Sequence, residues 1–275
     1  MNRSGQFLEV QSTEELNSAH PLPPAIVSDK LSSLVVLQLC ENNGVRHVIQ
    51  RSNLLPDLET KVARFMLEQP HKFILAPVSS ILEADAPSEI TEKHMADFRH
   101  EIGSPHCKDK LIEDLREYAK KFKNPSSFIY DLSIVAGELM SNAIYNAPYV
   151  DEMNSHSGPD RNPSNIVVDQ DRKPVIFAGS DGVRLVVGVK DFYGRLHTAN
   201  LIQKIRRCYE NNLGDQISYK EGGAGIGAFM IFDSCAGFYV AVENGRSTTI
   251  CCSIPLNMSA NKRSSLPKNI HFLNV

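Results

Sequence analysis

One ten-residue stretch, Gly137-Glu138-Leu139-Met140-Ser141-Asn142-Ala143-Ile144-Tyr145-Asn146, constrains this chain most. Phe128, Leu132, Val135, Leu139 and Ala143 recur at three- and four-residue steps, the spacing of an apolar stripe along a helix. Glu138, Asn142 and Asn146 are four apart and share a line beside that stripe. Such a helix must pack its apolar face against another layer, so the polar line falls at the border of a core. A carboxylate and two amides are costly to hold there unless something binds them. A divalent cation with phosphates would do so, because magnesium takes oxygen ligands and draws only one or two of them from protein.

A glycine cluster follows at Gly222-Gly223-Ala224-Gly225-Ile226-Gly227, then the apolar run Ala228-Phe229-Met230-Ile231-Phe232. Glycines let backbone approach a ligand closely, and the free amides of the helix start expected after them suit a phosphate. A tight turn or close helix packing accounts for the cluster equally well when it is taken alone. Between the two features, Val186-Val187-Gly188-Val189-Lys190-Asp191 has the pattern of a buried strand ending in an acid. After them, Gly245-Arg246-Ser247-Thr248-Thr249-Ile250 leads into a strand closing at Ile254-Pro255-Leu256.

In this order, the motifs resemble the GHKL family of ATP-binding domains over residues 108–257. The anti-sigma-factor serine/threonine kinases are the most similar branch. The resemblance implies ATP and Mg2+ as cofactors and a two-layer α/β sandwich, an α+β fold. It implies that Asn142 ligates magnesium and that Glu138 acts as the base. Asp191 would accept the adenine amine, a donor facing an acceptor-only group. Thr248 would help hold adenine. Asn146, Gly194, Lys220, Gly223, Gly225, Ile226 and Gly227 complete the implied nucleotide-binding set. The chain departs from the family's Asp-x-Gly-x-Gly box: Asp191-Phe192-Tyr193-Gly194-Arg195 carries its single glycine between the two family positions. Residues 195–221 would form the lid over the nucleotide, with Lys204, Arg206, Arg207 and Lys220 as cations able to reach phosphates.

The rest of the chain predicts a flexible N-terminus over 1–30, a small α/β input or partner-binding domain over 31–90, a linker near Ala84–Pro87 and a loose basic tail over 258–275. Within 31–90, Leu34–Leu39 and Phe73–Ala76 have the pattern of short strands, and Leu58–Glu68 that of a helix after Pro56 and Asp57. Lys108–Phe122 is an amphipathic helix leading to the Glu138 helix, and 147–165 is a polar exposed loop. Gly179-Ser180-Asp181-Gly182 and Glu243-Asn244-Gly245-Arg246 each separate two strand-like runs and predict hairpins.

The net charge of −3 implies no general attraction to nucleic acid or to a membrane surface, and no stretch of 18 apolar residues occurs. The six cysteines form no Cys-x-x-Cys pair, which fits reduced thiols in the cytoplasm. Adjacent Cys251 and Cys252 should point to opposite faces of a strand. The leading expectation is a cytosolic kinase that transfers the γ-phosphoryl group to Ser or Thr of a regulatory protein partner, with a homodimer left open. The alternative is a catalytically degenerate nucleotide-sensing or partner-binding scaffold of the same fold. A third reading rests on Phe98-Arg99-His100-Glu101-Ile102-Gly103-Ser104-Pro105, which resembles the phosphoacceptor box of a histidine kinase. Forty-two residues separate His100 from Asn142, too few for the helical hairpin such a kinase needs.

Overall fold

The computed structural model describes residues 6–11, 15–16, 21–29, 31–42, 44–83, 97–149, 162–210 and 226–275. They form an α+β sandwich in which helices lie on one mixed sheet of nine strands. The strands are β1 (Phe7–Val10), β2 (Ala25–Ser28), β3 (His47–Gln50), β4 (Phe98–Glu101), β5 (Val175–Ser180), β6 (Arg184–Asp191), β7 (Gly237–Glu243), β8 (Ser247–Pro255) and β9 (Asn269–Asn274). Their spatial order is β1-β2-β3-β9-β7-β8-β6-β5-β4. The β5–β6 and β7–β8 hairpins fall at the two glycine turns predicted for them, with Gly182 and Gly245 both at positive φ.

β6 is buried along nearly its whole length, because helices cover both faces of the sheet. On one face, Leu185, Val187 and Val189 pack beneath α5 (Lys108–Ala119), α6 (Ile129–Ser141), α7 (Thr198–Glu210) and α8 (Ile226–Ser234). On the other, Val186 joins a second core with α2 (Pro56–Glu68), α3 (Pro70–Leu75) and α4 (Pro77–Leu82), which adds a third layer to the two expected. Cys251 faces this second core and Cys252 the first, as alternation along a strand requires. Among the described residues, no disulfide links any of the six cysteines. Gly188 is obligatory in this packing, since a Cβ would lie 2.6 Å from the Phe177 ring and 2.8 Å from the Ile250 carbonyl.

Several expectations for the termini are corrected. Leu34–Leu39 is not a strand but the middle of α1 (Ser33–Asn42), opened by the Ser32 hydroxyl accepting from Val35 N–H. Phe73–Leu75 is likewise helical: α3 and α4 each start at a proline, which fixes φ for the first turn and has no N–H to leave unpaired. Within the span expected to be flexible, Phe7–Val10 and Ala25–Ser28 form β1 and β2, and β3 joins the main sheet by pairing with β9. The expected loose tail carries α9 (Ala260–Ser264) and β9, a central strand buried between β3 and β7. Arg263 anchors it, donating to Asp131 Oδ2 at 2.6 Å from a nearly inaccessible position. The linker near Ala84–Pro87 and most of the loop after Tyr149 lie outside the described residues.

A buried polar network ties the second helical layer to the sheet. Glu59 of α2 accepts from Arg184 Nη1 at 2.6 Å and from the Tyr239 hydroxyl at 2.7 Å, while His271 Nε2 stands 3.2 Å from its other oxygen. His271 and His47 then face each other, Nδ1 to Nδ1, at 3.2 Å. Among the described residues, no helix is long and apolar enough to cross a membrane.

Candidate functional site

A cavity of about 640 Å³ opens between the helices and the end of the sheet, within the range of small-molecule sites. Val189, Asp191, Thr248 and Ile250 form its floor, because β6 and β8 pair Asp191 with Thr248 and turn both toward the first helical face. Glu138, Asn142 and Asn146 form one wall. Their line is held together although the α-helix ends at Ser141: it widens there into one π turn over Asn142–Asn146, in which Asn146 Nδ2 donates to Asn142 Oδ1 at 2.7 Å. Single π turns of this kind recur at functional sites.

Glu138 reaches the start of α8. A Cβ at position 227 would sit 2.1 Å from Glu138 Oε2, so glycine is what lets the carboxylate lie there. The Glu138 carboxylate has no hydrogen bond or ion pair among the described residues, while its backbone carbonyl accepts from Asn142 N–H at the end of α6. Asp191 is buried, and burial raises its pKa above the ordinary carboxylate value, while the amides of Tyr193 and Gly194 pull the other way. Its Oδ1 accepts from those amides at 2.9 and 3.4 Å. The Thr248 hydroxyl favours the carboxylate form by proximity, yet it is buried without a hydrogen bond of good geometry among the described residues.

The opposite wall is the inward face of α7, where Asn200, Gln203, Lys204 and Arg207 line the cavity. Arg206, expected among the phosphate-reaching cations, points away and pairs with Glu41 of α1 at 2.5 Å. Arg195, in the place of the family's second glycine, and His197 line the cavity as well, and neither is in the expected nucleotide-binding set. Gly194 does not line it. This residue has φ 60° and lies behind the floor against the β7–β8 turn, its carbonyl accepting from Gly245 N–H at 3.0 Å. Ile226 and Gly227 line the cavity at the N-terminus of α8, whereas Lys220, Gly223 and Gly225 lie outside the described residues. His100 is exposed on β4, an edge strand rather than a helix, with its ring 4.6 Å from that of Phe98.

The donor set fits magnesium held mainly by a ligand. The Glu138 carboxylate, without a partner among the described residues, and the Asn142 amide oxygen face the same space. Among the described residues no group of three or more His, Cys, Asp or Glu could hold a metal alone.

No protein-family model matches the chain, and no curated protein matches it. Among solved structures it is similar to a chain in the crystal structure of the SiaB-SiaC complex from Pseudomonas aeruginosa. The identity is 17%, over 58% of this chain and 89% of that one, with a TM-score of 0.35. A likeness of that size carries no argument about function.

Proposed function

We propose that the cavity binds ATP with magnesium and that the chain is a cytosolic kinase, transferring the γ-phosphoryl group to Ser or Thr of a regulatory protein partner. The observation that carries this reading is the Glu138 carboxylate. It has no partner among the described residues, meets the N-terminus of α8 at Gly227, and shares one cavity with Asn142 and the buried Asp191. A helix N-terminus with free amides attracts phosphate. A carboxylate beside it is placed to take the proton of an incoming hydroxyl. Asn142 would hold the magnesium ion, which supplies charge neutralisation on the phosphates. Lys204 and Arg207 on the facing wall add positive charge along the same path. Phosphoryl transfer asks for little more than positioning and charge balance of this kind. Asp191 keeps one oxygen clear of the Tyr193 and Gly194 amides, and as a carboxylate that oxygen suits the adenine amine. The GHKL resemblance of residues 108–257 supports the same assignment.

A second reading, a scaffold of this fold without efficient transfer, is favoured by Arg195. Where family members carry glycine near the ribose, this side chain lines the cavity and donates to the Pro148 carbonyl at 2.9 Å. Radiolabelled ATP separates the readings when it is incubated with the protein, magnesium and fractionated cell extract. Acid-stable phosphoserine or phosphothreonine, lost in Glu138→Gln while ATP binding persists, is the expected result. Binding with neither transfer nor ADP release points to the scaffold. Acid-labile phosphate lost in His100→Gln points to histidine chemistry.

A further inference from the structure

Helix α7 divides its side chains three ways. Ile202 and Ile205 enter the core, Gln203, Lys204 and Arg207 line the cavity, and Arg206 reaches outward to α1. The Arg206–Glu41 pair is largely withdrawn from water, with side chains 23% and 16% exposed. Helix α1 packs along α7, and its Val36, Leu37 and Cys40 share the core of Ile202 and Ile205. At the far end of α7, the Tyr209 hydroxyl donates to Asp233 Oδ1 at 3.1 Å, and its ring packs edge-on against Phe229. Both contacts are on α8, whose first residues line the cavity. Two helices that frame the cavity are thus braced together, and the pair is held from outside by α1.

We propose that α1, with the strands β1–β3 it rides on, positions α7 over the cavity through Glu41 and Arg206, and so sets how tightly the cavity holds a phosphate-bearing ligand. The part about phosphate rests on the nucleotide reading above; the positioning of α7 does not. Arg206 is a positioning residue and touches no ligand. The contact has the character of a latch, because Arg206 has a second carboxylate on its own helix: Nε lies 3.1 Å from Glu210 Oε1, an ion pair without hydrogen-bond geometry. Parting from Glu41 therefore does not strand a buried guanidinium without any partner, and the separated arrangement is accessible. Glu41 lies near the end of α1, and the chain then enters β3, which is hydrogen-bonded to β9 in the centre of the sheet. A partner that shifts α1 or the edge strands would shift α7, giving the N-terminal unit control over the cavity.

The test uses the full chain with Glu41→Gln, Arg206→Lys and the control Glu210→Gln, read by amide hydrogen exchange and by titration with a fluorescent ATP analogue. Glu41→Gln is expected to speed exchange across residues 198–210 about tenfold, with the β7–β8 hairpin unchanged. It is expected to weaken analogue binding by about tenfold. Arg206→Lys keeps the charge and should stay within about threefold of wild type, and so should Glu210→Gln, which leaves the α1 contact in place. Unchanged exchange in 198–210, or an equal rise in the hairpin, would overturn the positioning role. Faster exchange in α7 with unaltered affinity would overturn its link to the ligand. If wild type binds no analogue, the nucleotide reading fails, the phosphate clause falls with it, and the exchange data alone decide whether α1 positions α7.

Discussion

Glu138 and Gly227 touch: the carboxylate occupies the space a Cβ at position 227 would need, at 2.1 Å from Oε2. The contact joins α6, which carries the Asn142 line, to the first turn of α8. In Gly227→Ala the flexible end of Glu138 can swing aside, so the fold should survive with a melting shift below about 4 °C, the equivalent of ~1 kcal/mol at this size. Phosphoryl transfer should fall by about 100-fold, the scale of a displaced general base. Thermal melting beside an activity assay checks this, and full activity in the variant would sever Glu138 from the chemistry.

Gly194 is a different case, because its neighbours are backbone. It has φ 60°, and a Cβ would meet Glu243 O at 2.2 Å and Arg246 N at 2.5 Å. Gly194→Ala should cost about 1–3 kcal/mol for the left-handed conformation alone, and the clash adds to it. Denaturant unfolding should show the loss. Asp191, whose Oδ1 accepts from Gly194 N–H, should lose its fixed orientation at the same time.

These two glycines show how differently the sequence disclosed its parts. The Glu138–Asn146 line was legible because four-residue spacing beside an apolar stripe has few other meanings, and the hairpins because Asp-Gly and Asn-Gly turns are local signals. Leu34–Leu39 was not, since a short apolar run fits a buried strand or a buried helix and only Ser32 marks the helix start. The strand β9 was hidden because its partners β3 and β7 are distant in sequence. Sequence alone groups Arg206 with the phosphate-reaching cations of its helix, because nothing local reveals its pairing with Glu41. The family resemblance puts Gly194 at the ligand, while its neighbours in the fold are the Glu243 carbonyl and the Gly245 and Arg246 amides, a turn remote in sequence.

The buried Glu59 links α2 to three strands. Burial pushes its pKa up, but His271, the Arg184 charge and the Tyr239 hydroxyl outweigh that and hold it below the ordinary value. Glu59→Ala leaves Arg184 with Asp181 and the Ile81 carbonyl but removes the shared acceptor of Arg184 and Tyr239, and should destabilise toward the lower end of about 3–5 kcal/mol. Tyr239→Phe removes one hydrogen bond to a charged group and should cost about 1.5–3 kcal/mol. Urea titrations of the two variants should preserve that order; equal losses would mean the network is not centred on Glu59.

His47 supplies a pH dependence. Burial, then the nearby His271 and Arg46, hold its pKa well below the ordinary 6.5, so the folded state keeps it neutral. The unfolded chain takes up the proton first, and stability present above about pH 6.5 is lost as pH falls below it. Melting temperatures at about pH 7.5 and about pH 5.5 should differ more in wild type than in His47→Asn, whose amide can still face His271. An identical drop in both would assign the acid sensitivity elsewhere.

Titration calorimetry with ATP and magnesium tests the central claim most directly, comparing wild type with Asn142→Ala and Asp191→Asn. The account predicts micromolar binding in wild type, lost or weakened by at least about tenfold in each variant. It also predicts that wild-type affinity falls as acid protonates Asp191, at a pH above the ordinary carboxylate value of 3.8 because burial raises its pKa. No heat of binding in wild type, or equal affinity in all three proteins, would contradict it.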